Sequence, residues 1–389
     1  MDNLFKFKKH PEIQKNDYVI HTTAKKQYWK RFFSNKISLT WFIIFCILFA
    51  SLLVALFLVR NSATKSIDPT TNLVNNLPSS FNPIITKNFN RGPEIDFIRE
   101  IAQLEEKQAN LEIRNPLFVI YFDSAKEIGG DQTIYTDIIT LAYNPYDLIN
   151  AINSLNKNTN LINVPSGLYM GTNNQGIDIY ARSIITLWMT ILIIILAIFI
   201  NIFIGFNLAV IVNLYQKNLF VNFLDKLITA MSVIPEIIWV FLLSIFIGTQ
   251  WYAMLISLSF ICWVSYYKLA KEKIYSLLNK EFILVAKTLG SSNWKIAYWH
   301  IFNYLYPEFL ILFVERFSIN ILIVSSLAFL DFIIASNAIN IGTVLKEGII
   351  LFFENPSYLL LVATYIILFA LTLKLLSGAF ANAYNPRIN

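Results

Sequence analysis

Ionisable side chains are scarce inside the apolar runs of this sequence, and the few that occur there set out its chemistry. Glu236 follows Pro235 in the run IPEIIWVFLLSIFI. An ionised carboxylate is costly in an apolar medium, so it is retained there for a role. Pro235 leaves a backbone carbonyl free and permits a bend beside Glu236. Two readings stay open: Glu236 faces a polar path and meets the amino group of a passing solute, or it pairs with a neighbouring helix. Glu315 and Arg316 are adjacent and point about 100° apart on a helix. Arg316 is expected to extend its head towards the membrane interface. His300 has no second ligand at metal-binding spacing, and Cys46 and Cys262 both lie inside apolar runs. Neither a metal site nor a disulfide is expected. No G-x-x-x-x-G-K-[ST] loop occurs, and the polar segment 61–178 has no catalytic constellation. No catalytic residue and no cofactor bound by this chain are expected.

Such residues need elements to hold them, and composition says which kind. The chain has 389 residues, 56% hydrophobic, 15% aromatic and only 14% charged. Its mean hydropathy is +0.54. A soluble domain has about 25% charged residues. The balance is that of an integral membrane protein in contact with lipid. The net charge of +6 is not a nucleic-acid signal, because the lysines gather at the ends of apolar runs, as orientation signals do. Six runs are long enough to span a bilayer: 37–59, 183–214, 226–248, 251–267, 309–332 and 357–376. The first is expected to be an uncleaved span, since it follows a 36-residue tail and no small-x-small site ends it. That tail, residues 1–36, carries Lys6, Lys8, Lys9, Lys15, Lys25, Lys26, Lys30, Arg31 and Lys36. The segment after the fourth run carries Lys268, Lys271, Lys273, Lys280, Lys287 and Lys295, whereas 333–356 has only Lys346. The asymmetry predicts a multi-pass protein of the cell membrane with both termini cytoplasmic, including a tail at 377–389.

The segment 60–180 breaks the hydrophobic pattern and is expected outside the cell. It opens with NSATKSIDPTTNLVNNLPSSFNP, which reads as a linker. EIDFIREIAQLEEKQANLEI has helical spacing, NPLFVIYFD and TIYTDIITLAY read as strands, and PYDLINAINSL reads as a helix. The expectation is an inserted α+β domain, either a spacer or a docking surface for an extracellular partner.

Between the fourth and fifth runs stands EFILVAKTLGSSNWKIAYWHIFNYLYPE. Phe282, Val285, Ala286 and Leu289 follow helical spacing, and Gly290 supplies the left-handed residue that ends a helix. Ser291 or Ser292 caps a second helix, whose apolar face is expected to hold Trp294, Ile296, Ala297, Tyr298 and Ile301. Such an elbow needs a groove on a partner to bury it, or else it lies on the membrane surface.

This stretch resembles the EAA loop of ABC-importer permeases, specifically the OppC/DppC-like oligopeptide and dipeptide permease family. Glu281, Ala286, Gly290, Ser292, Trp294, Ile296, His300, Ile301 and Pro307 match at the family's spacing. Leu284 stands where the motif has glutamate, Val285 where it has its first alanine, and Asn303 where it has its first proline. GTNNQGIDIYAR, LDKLITAMSVIP, SSLAFLDF, INIGTVLKEG and the closing ANAYNPR are similar to further family motifs in the same order. The resemblance covers the start of the chain through the first span and nearly all of 168–387, but not the insert.

The resemblance implies an all-α polytopic membrane protein with six transmembrane helices and the ABC-importer permease fold; the residues themselves add the inserted extracellular α+β domain between spans one and two. The permease core would run from 181 to 376, with a cytoplasmic EAA loop at 268–308. It implies a second homologous permease, two ATPase subunits that hydrolyse ATP in place of this chain, and an extracellular substrate-binding lipoprotein. Peptides would be the solute, with a nickel complex or another small solute as the alternative. A secondary transporter is the main rival; it would show several buried carboxylates or inverted repeats. An assembly scaffold built around the insert is a further rival. Leu284 cannot make the ionic contact of the motif glutamate, and Glu281, one turn earlier, is a candidate substitute.

Overall fold

The computed structural model describes residues 24–90, 94–128, 132–155, 162–248, 250–327 and 339–384. Lys6, Lys8, Lys9 and Lys15 of the basic tail lie outside the described residues, as do 328–332 of the fifth expected span and Asn385, Pro386 and Arg387 of the closing motif.

Helix α1, Ala24–Ser34, leads into α2, Lys36–Phe57, which Asn35 caps by accepting from the Ile37 N–H. The centre of the molecule is α5, Ile179–Leu214. Its 36 residues reach about 54 Å, well beyond a hydrocarbon core of about 30 Å. It is apolar nearly all round, as a buried helix must be. Around it pack α8 (Trp251–Ile261), α9 (Trp263–Leu278), α12 (Phe302–Ser326), α13 (Ile341–Ile350) and α14 (Pro356–Tyr384). Five described helices are long and apolar enough to cross a membrane.

The count rises to six only if α6 (Leu219–Met231) and α7 (Glu236–Ile247) form one span. The two meet at 92°, so the straight span expected at 226–248 is not formed. Pro235 is the physical reason. It sits at the α7 N-cap with φ −54° and ψ 135°, outside helical space and without an N–H for the preceding turn. Glu236, expected mid-span, is therefore the first residue of a helix at a bend. Three other boundaries also differ. The fourth helix runs on through Leu278, so Lys268, Lys271 and Lys273 lie on α9 and not in a loop. The fifth begins in the elbow, and the sixth continues to Tyr384 through much of the expected tail.

The insert is a three-stranded antiparallel sheet of order β1-β3-β2 with two helices. The strands are β1 (Ile85–Asn90), β2 (Phe118–Ile128) and β3 (Gln132–Tyr143); the helices are α3 (Glu94–Glu112) and α4 (Pro145–Leu155). β1 adds an edge strand to those expected. Arg99 of α3 clasps Asp123 of β2 with two bonds, Nε to Oδ2 at 2.9 Å and Nη2 to Oδ1 at 2.6 Å. The stretch expected to be a linker is pinned down. Val74 and Leu77 are buried with Ile149, Ile162 and Leu168, and the Leu77 N–H donates to Thr172 Oγ1 at 2.9 Å. Gly171 is required at this seam: its φ is +75°, and a Cβ would lie 2.0 Å from the Leu77 carbonyl oxygen.

Candidate functional site: a helical elbow and a paired glutamate

The elbow starts with α10, Glu281–Thr288. Gly290, at φ +81°, reverses the chain. Its N–H donates to the Lys287 carbonyl at 3.0 Å, and the Ser291 N–H donates to the Ala286 carbonyl at 3.1 Å. These two bonds form a Schellman motif, which satisfies the last carbonyls of the helix. Ser292 opens the second limb by accepting from the Lys295 N–H at 3.3 Å. That limb, α11 (Asn293–Lys295), passes through a π turn at Ile296–Ile301 into α12. It is one 34-residue helix from Asn293 to Ser326, not the separate short helix expected, and Pro307 lies inside it.

The surface of the elbow divides differently from the spacing argument. Ile283, Ala286, Ile296, Ala297 and Ile301 are buried inside the molecule. Phe282, Leu284 (47% exposed), Val285, Leu289, Trp294 (41% exposed), Tyr298 and Trp299 face outward. Ala286, Ile296, Ala297 and Ile301 thus anchor the elbow and are not free for a partner. The physical reason is that this limb must pack on its own bundle before it can present a face. The Trp294 ring stacks on Tyr298 at 6.1 Å, and the Tyr298 hydroxyl bonds Asn207 Oδ1 of α5. Glu281 is exposed in the first turn of α10, and His300 is half-buried. Among the described residues no cluster of three or more His, Cys, Asp or Glu side chains forms a metal site.

The second feature is a cavity of about 330 Å³ at the α6–α7 bend, lined by Ser232, Glu236, Ser265, Lys268 and Arg316 among others. Arg316 Nη1 donates to both Glu236 oxygens, at 2.9 and 2.8 Å. Ser265 Oγ donates to Glu236 Oε1 at 2.8 Å. Of the two sequence readings, the structure pairs Glu236 with a neighbouring helix. Arg316 turns from the middle of α12 onto this carboxylate, which compensates its charge. Its Nε is buried without a hydrogen-bond partner among the described residues. Glu315 turns away to Lys374 Nζ at 2.6 Å.

Sequence reasoning missed a third constellation. Arg182, fully buried, donates to Glu347 Oε2 from Nε at 2.8 Å and to Oε1 from Nη2 at 2.6 Å. The Tyr358 hydroxyl and Asn173 Nδ2 also donate to Glu347 Oε2, at 2.9 and 3.3 Å. The stretches GTNNQGIDIYAR and INIGTVLKEG, separate in sequence, meet here. The usable signal was one charge of each sign at the margins of apolar runs. Two further acids hold lysines of α9: Asp225 takes Lys271 and the Tyr267 hydroxyl, and Glu308 takes Lys273 and the Tyr384 hydroxyl.

Fold and site together define a multi-pass helical membrane protein whose α10–α11 elbow projects from the end of a spanning helix. No protein-family model matches the chain. It is similar to the dipeptide transport system permease protein DppC of Lactococcus lactis subsp. cremoris (strain MG1363), with 21% identity over 217 residues, 56% of this chain. The match spans 63% of the length of that relative. This likeness is distant, and it falls within the OppC/DppC-like family that the sequence resembles.

Proposed function

We propose that the chain is a permease subunit of an ATP-driven ABC importer for peptides. With a second homologous permease it would form the path across the membrane. The exposed apolar and aromatic face of the elbow carries this reading. A face built on Phe282, Leu284, Val285, Leu289 and Trp294 suits a groove on an ATPase subunit. Its second limb is continuous with α12, so a push on the elbow would move a spanning helix as a rigid body. With Leu284 in place of the motif glutamate, this joint would rest on apolar burial, with Glu281 at its edge. A substrate-binding lipoprotein would deliver the solute, and ATP would be bound and hydrolysed on the partner subunits. Pro235 and Glu236 would line the path, where a peptide ammonium would compete with Arg316 for the carboxylate.

The test is dipeptide uptake by cells that express the chain with its partner subunits. Uptake should stop on ATP depletion and survive a proton ionophore applied at constant ATP. The opposite pattern would make the chain a secondary transporter. Dipeptide-independent growth on another solute carried by the same complex would replace the peptide assignment alone.

A further inference from the structure

A cleft of about 320 Å³ lies where α1 meets the start of α2 and the last turns of α14, apart from both features above. It is lined by Lys30, Arg31, Ser34, Asn35, Ser38 and Asn382. The other side of α1 is fixed: Phe32 stacks on Phe380 at 4.7 Å and meets Phe42 edge-on, and the Tyr28 hydroxyl reaches the Phe380 carbonyl at 3.4 Å. These contacts hold the end of α1 so that Lys30 and Arg31 border the cleft. Arg31 uses Nε on the Gln27 carbonyl of its own helix. Neither Lys30 nor Arg31 meets a carboxylate among the described residues.

Two further features point to the same ligand chemistry. Ser38 is only 2% exposed and borders the cleft, and its hydroxyl makes no hydrogen bond to the described residues. A hydroxyl at the wall of a cleft, not engaged by the chain, can donate to a ligand oxygen there. The cleft also sits at the first turn of the 22-residue α2, where Asn35 takes the Ile37 N–H and the helix dipole favours an anion at the rest of the turn. Phe33 and Ile37, beside it, are exposed apolar side chains at the end of a helix apolar enough to span a membrane.

We propose that this cleft binds the phosphate group of an anionic phospholipid, with its acyl chains along α2. Lys30 and Arg31 would neutralise the phosphate, and the Ser38 hydroxyl would donate to one of its oxygens. The lipid would lock α1 against α2 and α14. Phosphate chemistry is shared by a free phosphate ion, so the experiment separates the two sources.

The full chain, purified in detergent, would be titrated with phosphatidylglycerol or phosphatidylcholine and read by native mass spectrometry. Phosphatidylglycerol should bind in preference. K30A/R31A should weaken it about thirtyfold, as the loss of two cations near an anionic headgroup implies. R31K should keep most of the binding, which separates lost charge from misfolding, and S38A should weaken binding several-fold. K217A/K226A removes the same charge from exposed positions outside the cleft lining and should leave binding within about twofold of the parent. Equal loss in that control, or no preference for the anionic lipid, overturns the proposal. Protection of Lys30 from amine labelling by inorganic phosphate but not by phosphatidylglycerol would assign the cleft to the free ion and overturn the lipid source.

Discussion

Gly290 and Trp294 lie four residues apart and should fail in different ways. Gly290 needs its N–H for the Lys287 carbonyl and a φ of +81°; proline supplies neither. Gly290→Pro should misdirect the second limb and abolish co-purification of the proposed ATPase subunits. Space is not the constraint, since nothing lies within 4 Å of an added Cβ. Gly290→Ala should therefore cost only the backbone strain, about 1–2 kcal/mol. Trp294→Ala should keep the fold and remove an exposed anchor, weakening ATPase binding about thirtyfold if Trp294 is a hot spot worth about 2 kcal/mol. Unchanged ATPase binding in both Gly290→Pro and Trp294→Ala would return the elbow to a membrane-surface role. A second contrast concerns buried charge. Glu347→Gln would leave the fully buried Arg182 uncompensated, at a cost of about 3–5 kcal/mol. Glu236→Gln should cost less, because both partners there keep about a fifth of their side-chain surface exposed. Thermal unfolding in detergent ranks the two, and the reverse order would contradict this account.

At the scale of elements, the insert has its own electrostatic seam. Arg114, just past the end of α3, folds back on that helix by bonding both Glu105 and Glu112, and Glu105 also accepts from the Leu117 N–H that leads into β2. That hydrogen bonding to Arg114 holds the Glu105 carboxyl below its ordinary value of 4.5, and holds Glu112 below it as well. A carboxylate whose folded pKa is depressed stabilises the fold above its unfolded pKa. The contribution is lost as pH falls through the folded value. Hydrogen exchange of α3 should thus accelerate as pH drops below about 4.5, after correction for intrinsic exchange. Arg114→Ala should flatten that response. A pH-independent α3 in the parent protein would show that the seam carries no stability. The first part of the insert behaves otherwise. Because Leu77 and Asn76 bond the 172–173 backbone and side chains, residues 61–80 act as part of the bundle end and not as a tether.

Across the whole molecule, the lysine pattern still has to be read as topology. Lys271 and Lys273 are each neutralised by an acid of the bundle, which weakens their weight as orientation signals without reversing the pattern. Single cysteines placed at Asn72 and Asn279, in a chain with Cys46 and Cys262 replaced, give a direct measure. An impermeant maleimide should label Asn72→Cys on intact cells and Asn279→Cys only after permeabilisation. Labelling of both, or the reverse, would overturn the orientation with both termini in the cytoplasm.

The sequence by itself determined the membrane class, the approximate places of five long apolar helices but not of the bent sixth, and the glycine-broken elbow with its serine cap. Each of these follows from local properties: run length, periodicity, and the backbone freedom of one residue. Gly290 ends its helix by its own φ, and no distant contact is needed. The α+β character of the insert was also legible, since EIDFIREIAQLEEKQANLEI and TIYTDIITLAY carry their periods within themselves. Tertiary structure alone decided the charge pairings. Glu236 and Arg316 are 80 residues apart, and Arg182 and Glu347 are 165 apart. Burial in an apolar bundle forces such groups together, but which helices become neighbours is a property of packing. The same packing turned Ile296 and Ala297 inward and left Leu284 and Trp294 outside. Helical spacing gives a face its members, and only the surrounding bundle decides which face is covered.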